Sequence, residues 1–184
     1  MTEEYQSGAT TDGEAGITSD DTCDAAANRE RLEARLDFMF SIWREKQQGK
    51  TLPSRADLDP TEFHRLWPVT FLLERCGDGG DWQVRFAGSA YGSVYGREVT
   101  GTRVSEIISE DLAPHVLADF RRCTDTGVPI VNSGETTWPE RGNVYSYQRL
   151  LLPYGENLDD DDKPRVTHLL GVAAFFNSTG ATVF

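Results

Sequence analysis

The sequence predicts an α+β fold, in which one antiparallel sheet carries its helices on a single face. Three observations predict it. Short strand-like runs lie on both sides of a central stretch, that stretch has helical spacing of apolar residues, and the neighbouring strands are joined by hairpin-length turns.

Each element follows from its residues. Residues 1–27 are rich in Thr, Ser, Gly, Asp and Glu and nearly devoid of large aliphatics. Such a segment buries too little to offset ordering entropy, so it is expected to be a disordered acidic tail. Over 28–50, Leu32, Leu36, Met39, Phe40 and Trp43 recur at helical spacing between Asn28 as cap and Gly49 as stop, which predicts an amphipathic helix. "GKTLPSRADLDP" is a linker with two prolines, and "PTEFHRLW" is expected to form a short helix packed by Phe63 and Trp67.

Strand signals begin near residue 68. "PVTFLLER" and the alternating "WQVRFAG" flank the turn "CGDGGD", a predicted hairpin. "TRVSEIISEDLAPHVLADFRRCTDTG" then places Ile107, Ile108, Leu112, Val116, Leu117 and Phe120 on one helical face, with Gly127 as the stop. Three further strand runs follow, "VPIVNSGETTW", "NVYSYQRLLLPY" and "VTHLLGVAAFF", so the domain is expected over 51–178 with a short tail at 179–184.

Composition narrows the function. A length of 184 residues with 38% hydrophobic content suits one core. A net charge of −12, from 30 acidic against 18 basic residues, disfavours nucleic acid and anionic membranes as partners. No run reaches the length of a membrane span and no signal peptide is visible, so a cytoplasmic location is expected. Cys23, Cys76 and Cys123 are far apart, without a CxxC pair, and imply neither a disulfide framework nor a zinc site.

The stretch "GSAYGSVYGREVTG" places glycines at 88, 92, 96 and 101. That spacing matches neither GxGxxG nor GxxxxGK[ST] and brings no lysine, so it is not a phosphate loop. The expected role is scaffolding: Gly88 ends a strand, Ser89 caps a short helix, and Gly96 stops it. Tyr91 and Tyr95 then lie on one helical face, either filling the core or lining a pocket.

Catalytic and metal signatures are weak. The serine of "AGSAYG" lacks the GxSxG form, the acidic run Asp159 to Asp162 lacks the ligand pattern of a calcium loop, and His64, His115 and His168 have no second ligand at metal spacing. No catalytic or metal residue is assigned. Arg85 and Arg149 each interrupt an apolar strand, where a guanidinium must face solvent, pair with a carboxylate or meet a ligand anion.

With the order β-β-α-α-α-β-β-β established, four pieces carry a family resemblance: "LPSRADLDP" before the first strand, "VRFAGS" ending the second, "YGREVTG" after the first short helix, and "QRLLLPY" on the fourth strand. From about Leu52 to Phe176 the chain resembles a PAS domain, and more narrowly the compact PAS family found as stand-alone proteins in alphaproteobacteria. Arg85 and Arg149 match recurring arginines of that pattern. The resemblance implies a five-stranded antiparallel sheet under a helical layer, and a non-enzymatic sensor or adaptor role in bacterial signalling.

Four expectations follow. A small-molecule ligand would sit between sheet and helices, near Phe86, Tyr91, Tyr95, Val116, Phe120, Tyr147, Arg149 and Val172. A homodimer would form through the helix at 28–48 and an exposed sheet face, alongside a signalling protein partner. The cofactor is open: haem-binding PAS domains hold iron from a histidine on the helix corresponding to that of His115, whereas "GTRVSEII" has no cysteine of the kind flavin photoreceptors carry. The rival from another class, a small isomerase or hydrolase, needs His168, Arg149 or Glu135 inside the cavity.

Overall fold

The computed structural model describes residues 34–77, 80–110, 113–137, 144–157, 164–178 and 180–181. The tail expected over 1–27, the start of the following helix and Leu112 lie outside these residues, as does most of 179–184. Helix α1 spans 34–47 and is followed by 3-10 segments at Arg55–Asp57 and Pro60–Val69. Then come β1 (Thr70–Cys76), β2 (Asp81–Ala87), α2 (Ser89–Tyr95), α3 (Val104–Ile107), α4 (Ala113–Thr126), β3 (Ile130–Thr137), β4 (Val144–Glu156) and β5 (Arg165–Phe176).

All strand pairs are antiparallel, and the sheet order is β2-β1-β5-β4-β3. The first hairpin and the last three strands are therefore joined only through β1 and β5, a pairing of distant segments that closes the sheet around the helical middle. The fold is the α+β, five-stranded antiparallel architecture that the sequence predicts.

Local chemistry explains the boundaries. Asp59 accepts from the backbone N–H of Thr61 with Pro60 at the first position, which starts the 3-10 segment. That segment runs on to Val69, so the first strand begins at Thr70 and not at Pro68. Gly88, not Ser89, holds the N-cap of α2, and Gly96 ends that helix in the left-handed conformation at φ 65°. The stretch expected to be helical from Thr102 onward breaks into α3 and α4 because Ile108 is extended (ψ 135°).

Both faces of the central strands are buried. On β4 the run Leu150, Leu151 and Leu152 is enclosed, and on β5 so is Leu169 to Phe175. Register sorts the faces. Leu151, Arg149 and Tyr147 point to the inner side with Phe71, Leu73 and Phe175, whereas Leu72, Thr70, Leu150 and Val172 point to the outer side.

The outer face, expected to be exposed, is covered by the chain's own residues before β1. Leu36, Met39 and Trp43, on one side of α1, are buried in the same apolar cluster as the sheet. Lys46 pairs with Glu62 at 2.9 Å, linking α1 to the 3-10 segment. Beyond the start of β3, the edge of β4 is closed as well: the Trp43 indole N–H donates to the Pro153 carbonyl at 2.7 Å, and the Gly155 N–H donates to the Pro53 carbonyl at 2.9 Å. Among the described residues, Leu72, Leu150, Leu152, Leu170 and Val172 on the outer face are all buried.

Trp67 also departs from expectation. It is 42% exposed, while Phe63 and Leu66 carry the packing of that segment. Its ring lies edge-on to Phe86 at 6.2 Å.

Candidate functional site

A cavity of about 630 Å³ lies between the inner face of the sheet and the helices α2 to α4. Its apolar wall is built by Val84, Val99, Val104, Ile107, Ile108 and Val116, and small residues at Ala87 and Gly134 hollow the sheet on that side. At Gly134 a Cβ would meet the Tyr147 hydroxyl at 2.8 Å, so the missing side chain lets the Tyr147 ring lie against β3.

Of the residues expected from sequence, Tyr91, Tyr95, Val116, Phe120, Tyr147 and Arg149 line this cavity. Phe86 and Val172 do not. For Phe86 the cause is a β-bulge: Leu72 opposes Phe86 but Leu73 opposes Val84, so Arg85 is an extra residue that reverses the alternation. Ala87 turns inward in its place. Val172 sits opposite Leu150 and Thr70 on the outer face.

The two tyrosines of α2 have different tasks. Tyr91 donates to the Val69 carbonyl at 3.1 Å and meets Phe71 and Phe175 edge-on, so it fills the core, and burial raises its phenol pKa well above the usual value. The Tyr95 hydroxyl has no hydrogen-bond partner among the described residues. Burial raises its pKa too, with the Arg149 guanidinium opposing that shift.

The polar centre is a cluster around Arg149, which is 6% exposed. Its Nη2 donates to Asp119 Oδ2 at 3.0 Å and its Nε donates to Asn132 Oδ1 at 3.2 Å, while Asn132 Nδ2 also donates to Asp119 Oδ2. The guanidinium carbon lies 5.0 Å from the Phe120 ring centre and 5.5 Å from that of Tyr147. Sequence reasoning found Arg149 but missed Asp119 and Asn132. Asn132 is Arg149's direct cross-strand partner, and Asp119 lies on α4 beside Phe120. The signal for them was a buried arginine's need of a carboxylate, which requires the strand register to exploit.

Arg85 is a contrast. It is half exposed and pairs with Glu74 on the outer face. Arg85→Ala is expected to change stability by under about 0.5 kcal/mol, whereas Arg149→Met, which strands Asp119, should cost about 2–3 kcal/mol. Urea unfolding of the two variants beside the parent checks this, and equal midpoints would contradict it.

The rival catalytic trio does not converge. Glu135 and Arg149 line the cavity, but His168 lies on the other face of the sheet, opposite Glu74 and Tyr154. Loss of water around His168 lowers its pKa below the ordinary 6.5, with the Glu74 charge acting in the opposite direction. The unfolded chain therefore binds this proton more readily than the folded one, and the stability present above 6.5 falls as pH drops through and below that value. Lowering pH from about 7.5 to about 5.5 should depress Tm in the parent and less in His168→Gln. Parallel pH profiles would exclude the effect.

His115 lies on α4 at an exposed position of the cavity lining. Cys123 is buried on the same helix, away from the lining, and burial pushes its thiol up to about 12. Among the described residues no group of three or more His, Cys, Asp or Glu side chains is placed to hold a metal ion, and no helix is long and apolar enough to cross a membrane.

A family model described as "PAS domain" matches residues 33–171, and the chain belongs to that family. Its general role is that of a signalling sensor domain. No curated protein matches the chain. Similar solved structures include the PAS domain of a protein from Colwellia psychrerythraea, at 8% identity and TM-score 0.44, covering 61% of this chain and 92% of that one. The Rhodobacter sphaeroides LOV protein matches at 14–16% identity across its forms, with the unmodified form at 16%, TM-score 0.43, 66% of this chain and 69% of that one. The Aureochrome1 LOV blue-light photoreceptor in its light state matches at 11% identity and TM-score 0.45, over 66% and 90% of the two chains.

Proposed function

We propose that this chain is a non-enzymatic, cytoplasmic PAS sensor that binds a small molecule in the cavity and passes that event to a protein partner. The observation that carries the reading is the cavity of about 630 Å³ with Arg149 buried in its wall. Concave, mostly apolar clefts of this size with a few convergent polar groups are the usual form of small-molecule sites, and this one opens to solvent past His115, Ser133 and Glu135. Two features support a binding role over a catalytic one. The half-buried carboxylate of Asp119 is committed to Arg149 and Asn132, and His168 lies outside the cavity. The cytoplasmic setting rests on the unpaired thiols Cys76 and Cys123.

A homodimer remains part of the proposal, moved to a smaller surface. With Leu36, Met39 and Trp43 buried against the sheet, α1 leaves Phe38 47% and Phe40 39% exposed as the residues for contact with a second copy. Haem hung from His115 fits less well, because that side chain is exposed whereas the buried polar group of the cavity is a guanidinium.

Native mass spectrometry of the purified protein, with an absorbance spectrum, tests the reading. It predicts mass above that of the polypeptide, released on denaturation. A protein that carries no extra mass and gains none in a metabolite extract would refute it, and a Soret band lost in His115→Ala would replace it with the haem reading.

A further inference from the structure

We infer that the cavity's ligand is uncharged: an apolar molecule with a carbonyl oxygen that accepts hydrogen bonds from Nη1 of Arg149. The inference rests on the ligand-binding reading above and gives it a chemistry.

An arginine offers five N–H donors and accepts nothing. Here Nε serves Asn132 and one Nη2 hydrogen serves Asp119, so both Nη1 hydrogens and the second Nη2 hydrogen lack an acceptor among the described residues. Phe120 and Tyr147 lie within cation–π range of the guanidinium, and the residue as a whole is almost fully buried. A buried, charged donor without a partner is costly, and an acceptor oxygen in the cavity removes that cost. The Tyr95 hydroxyl, also without a partner, lines the same cavity and offers a second contact.

Charge decides which oxygen. Asp119 already neutralises Arg149 at 3.0 Å. The lining carries Asp119 and Glu135 against Arg122 and Arg149, with His115 beside them, so it has no formal positive surplus. The chain as a whole bears −12. A carboxylate brought to Nη1 would lose its hydration and meet the Asp119 charge in the same hydrogen-bonded cluster. A ketone, ester or amide oxygen accepts the same hydrogen bonds without that repulsion. The apolar body is set by Val99, Val104, Ile107, Ile108 and Val116 around it.

Three probes of nearly equal shape separate the cases: 2-naphthamide, 2-acetonaphthone and 2-naphthoate, titrated calorimetrically near neutral pH. The amide and ketone should bind about tenfold or more tightly than the acid. Asp119→Asn, which keeps the volume and the hydrogen bonding, should narrow that gap by strengthening naphthoate. Arg149→Met should weaken the two neutral probes. A parent that prefers naphthoate, or a gap unchanged in Asp119→Asn, overturns the inference and leaves the binding reading intact. If none of the probes binds, the inference fails; the binding reading then fails with it only if native mass spectrometry also finds no ligand.

Discussion

Replacing Gly88 by alanine is expected to cost the fold about 3–5 kcal/mol, a large part of what a domain of this size has. A Cβ there would lie 1.8 Å from the Trp67 carbonyl oxygen and 2.5 Å from the carbonyl carbon and oxygen of Pro68. These are backbone atoms at the end of the 3-10 segment, so no side chain can rotate away. The Gly88 N–H also donates to the Thr70 carbonyl at 2.8 Å, and its own carbonyl accepts from Tyr91. Relief of the clash would therefore separate the start of β1 from the start of α2, the helix that brings Tyr91 and Tyr95 to the cavity. Thermal unfolding should show Tm lowered by about 10 °C or more. Gly92→Ala is the control. Its nearest neighbour would be the Arg97 oxygen at 3.9 Å, and alanine in a helix is favoured over glycine by about 0.5–1 kcal/mol. A Gly88→Ala protein as stable as Gly92→Ala would refute the packing described.

The second large effect is at Trp43. Trp43→Ala should lose about 3–5 kcal/mol through the cavity it leaves and the orphaned Pro153 carbonyl. Trp43→Phe keeps most of the ring and should lose only about 1–2 kcal/mol. Phe38→Ala, on the exposed side of α1, should be nearly silent in the monomer. The series separates a helix integral to the domain from one that merely tethers copies. A Trp43→Ala protein that unfolds like the parent would show α1 to be dispensable.

The strand and helix order was legible because period-2 and period-3.6 patterns survive in single sequences. "WQVRFAG" and the spacing of Leu36, Met39 and Trp43 are examples. What α1 packs against was not legible. An amphipathic face records that it is covered and says nothing of which surface covers it, and here Leu36, Met39 and Trp43 join the chain's own core. Phe86 illustrates a second limit. Alternation assigns it to the face of Trp82 and Val84, and one extra residue at Arg85 sends it to the other. Val172 failed for a related reason: in a strand buried on both faces, hydrophobicity carries no sign of direction. Arg149 stood out as a charge in an apolar run, but Asp119 and Asn132 needed the register and the third dimension.

A small molecule is expected to occupy the cavity that Arg149 lines. Val116→Trp enlarges a lining side chain on α4 one turn before Asp119 and Phe120, and native mass spectrometry of this variant beside the parent is the direct test. Added mass is expected in the parent and none in the folded variant. Equal added mass in both would put the molecule elsewhere and contradict that expectation.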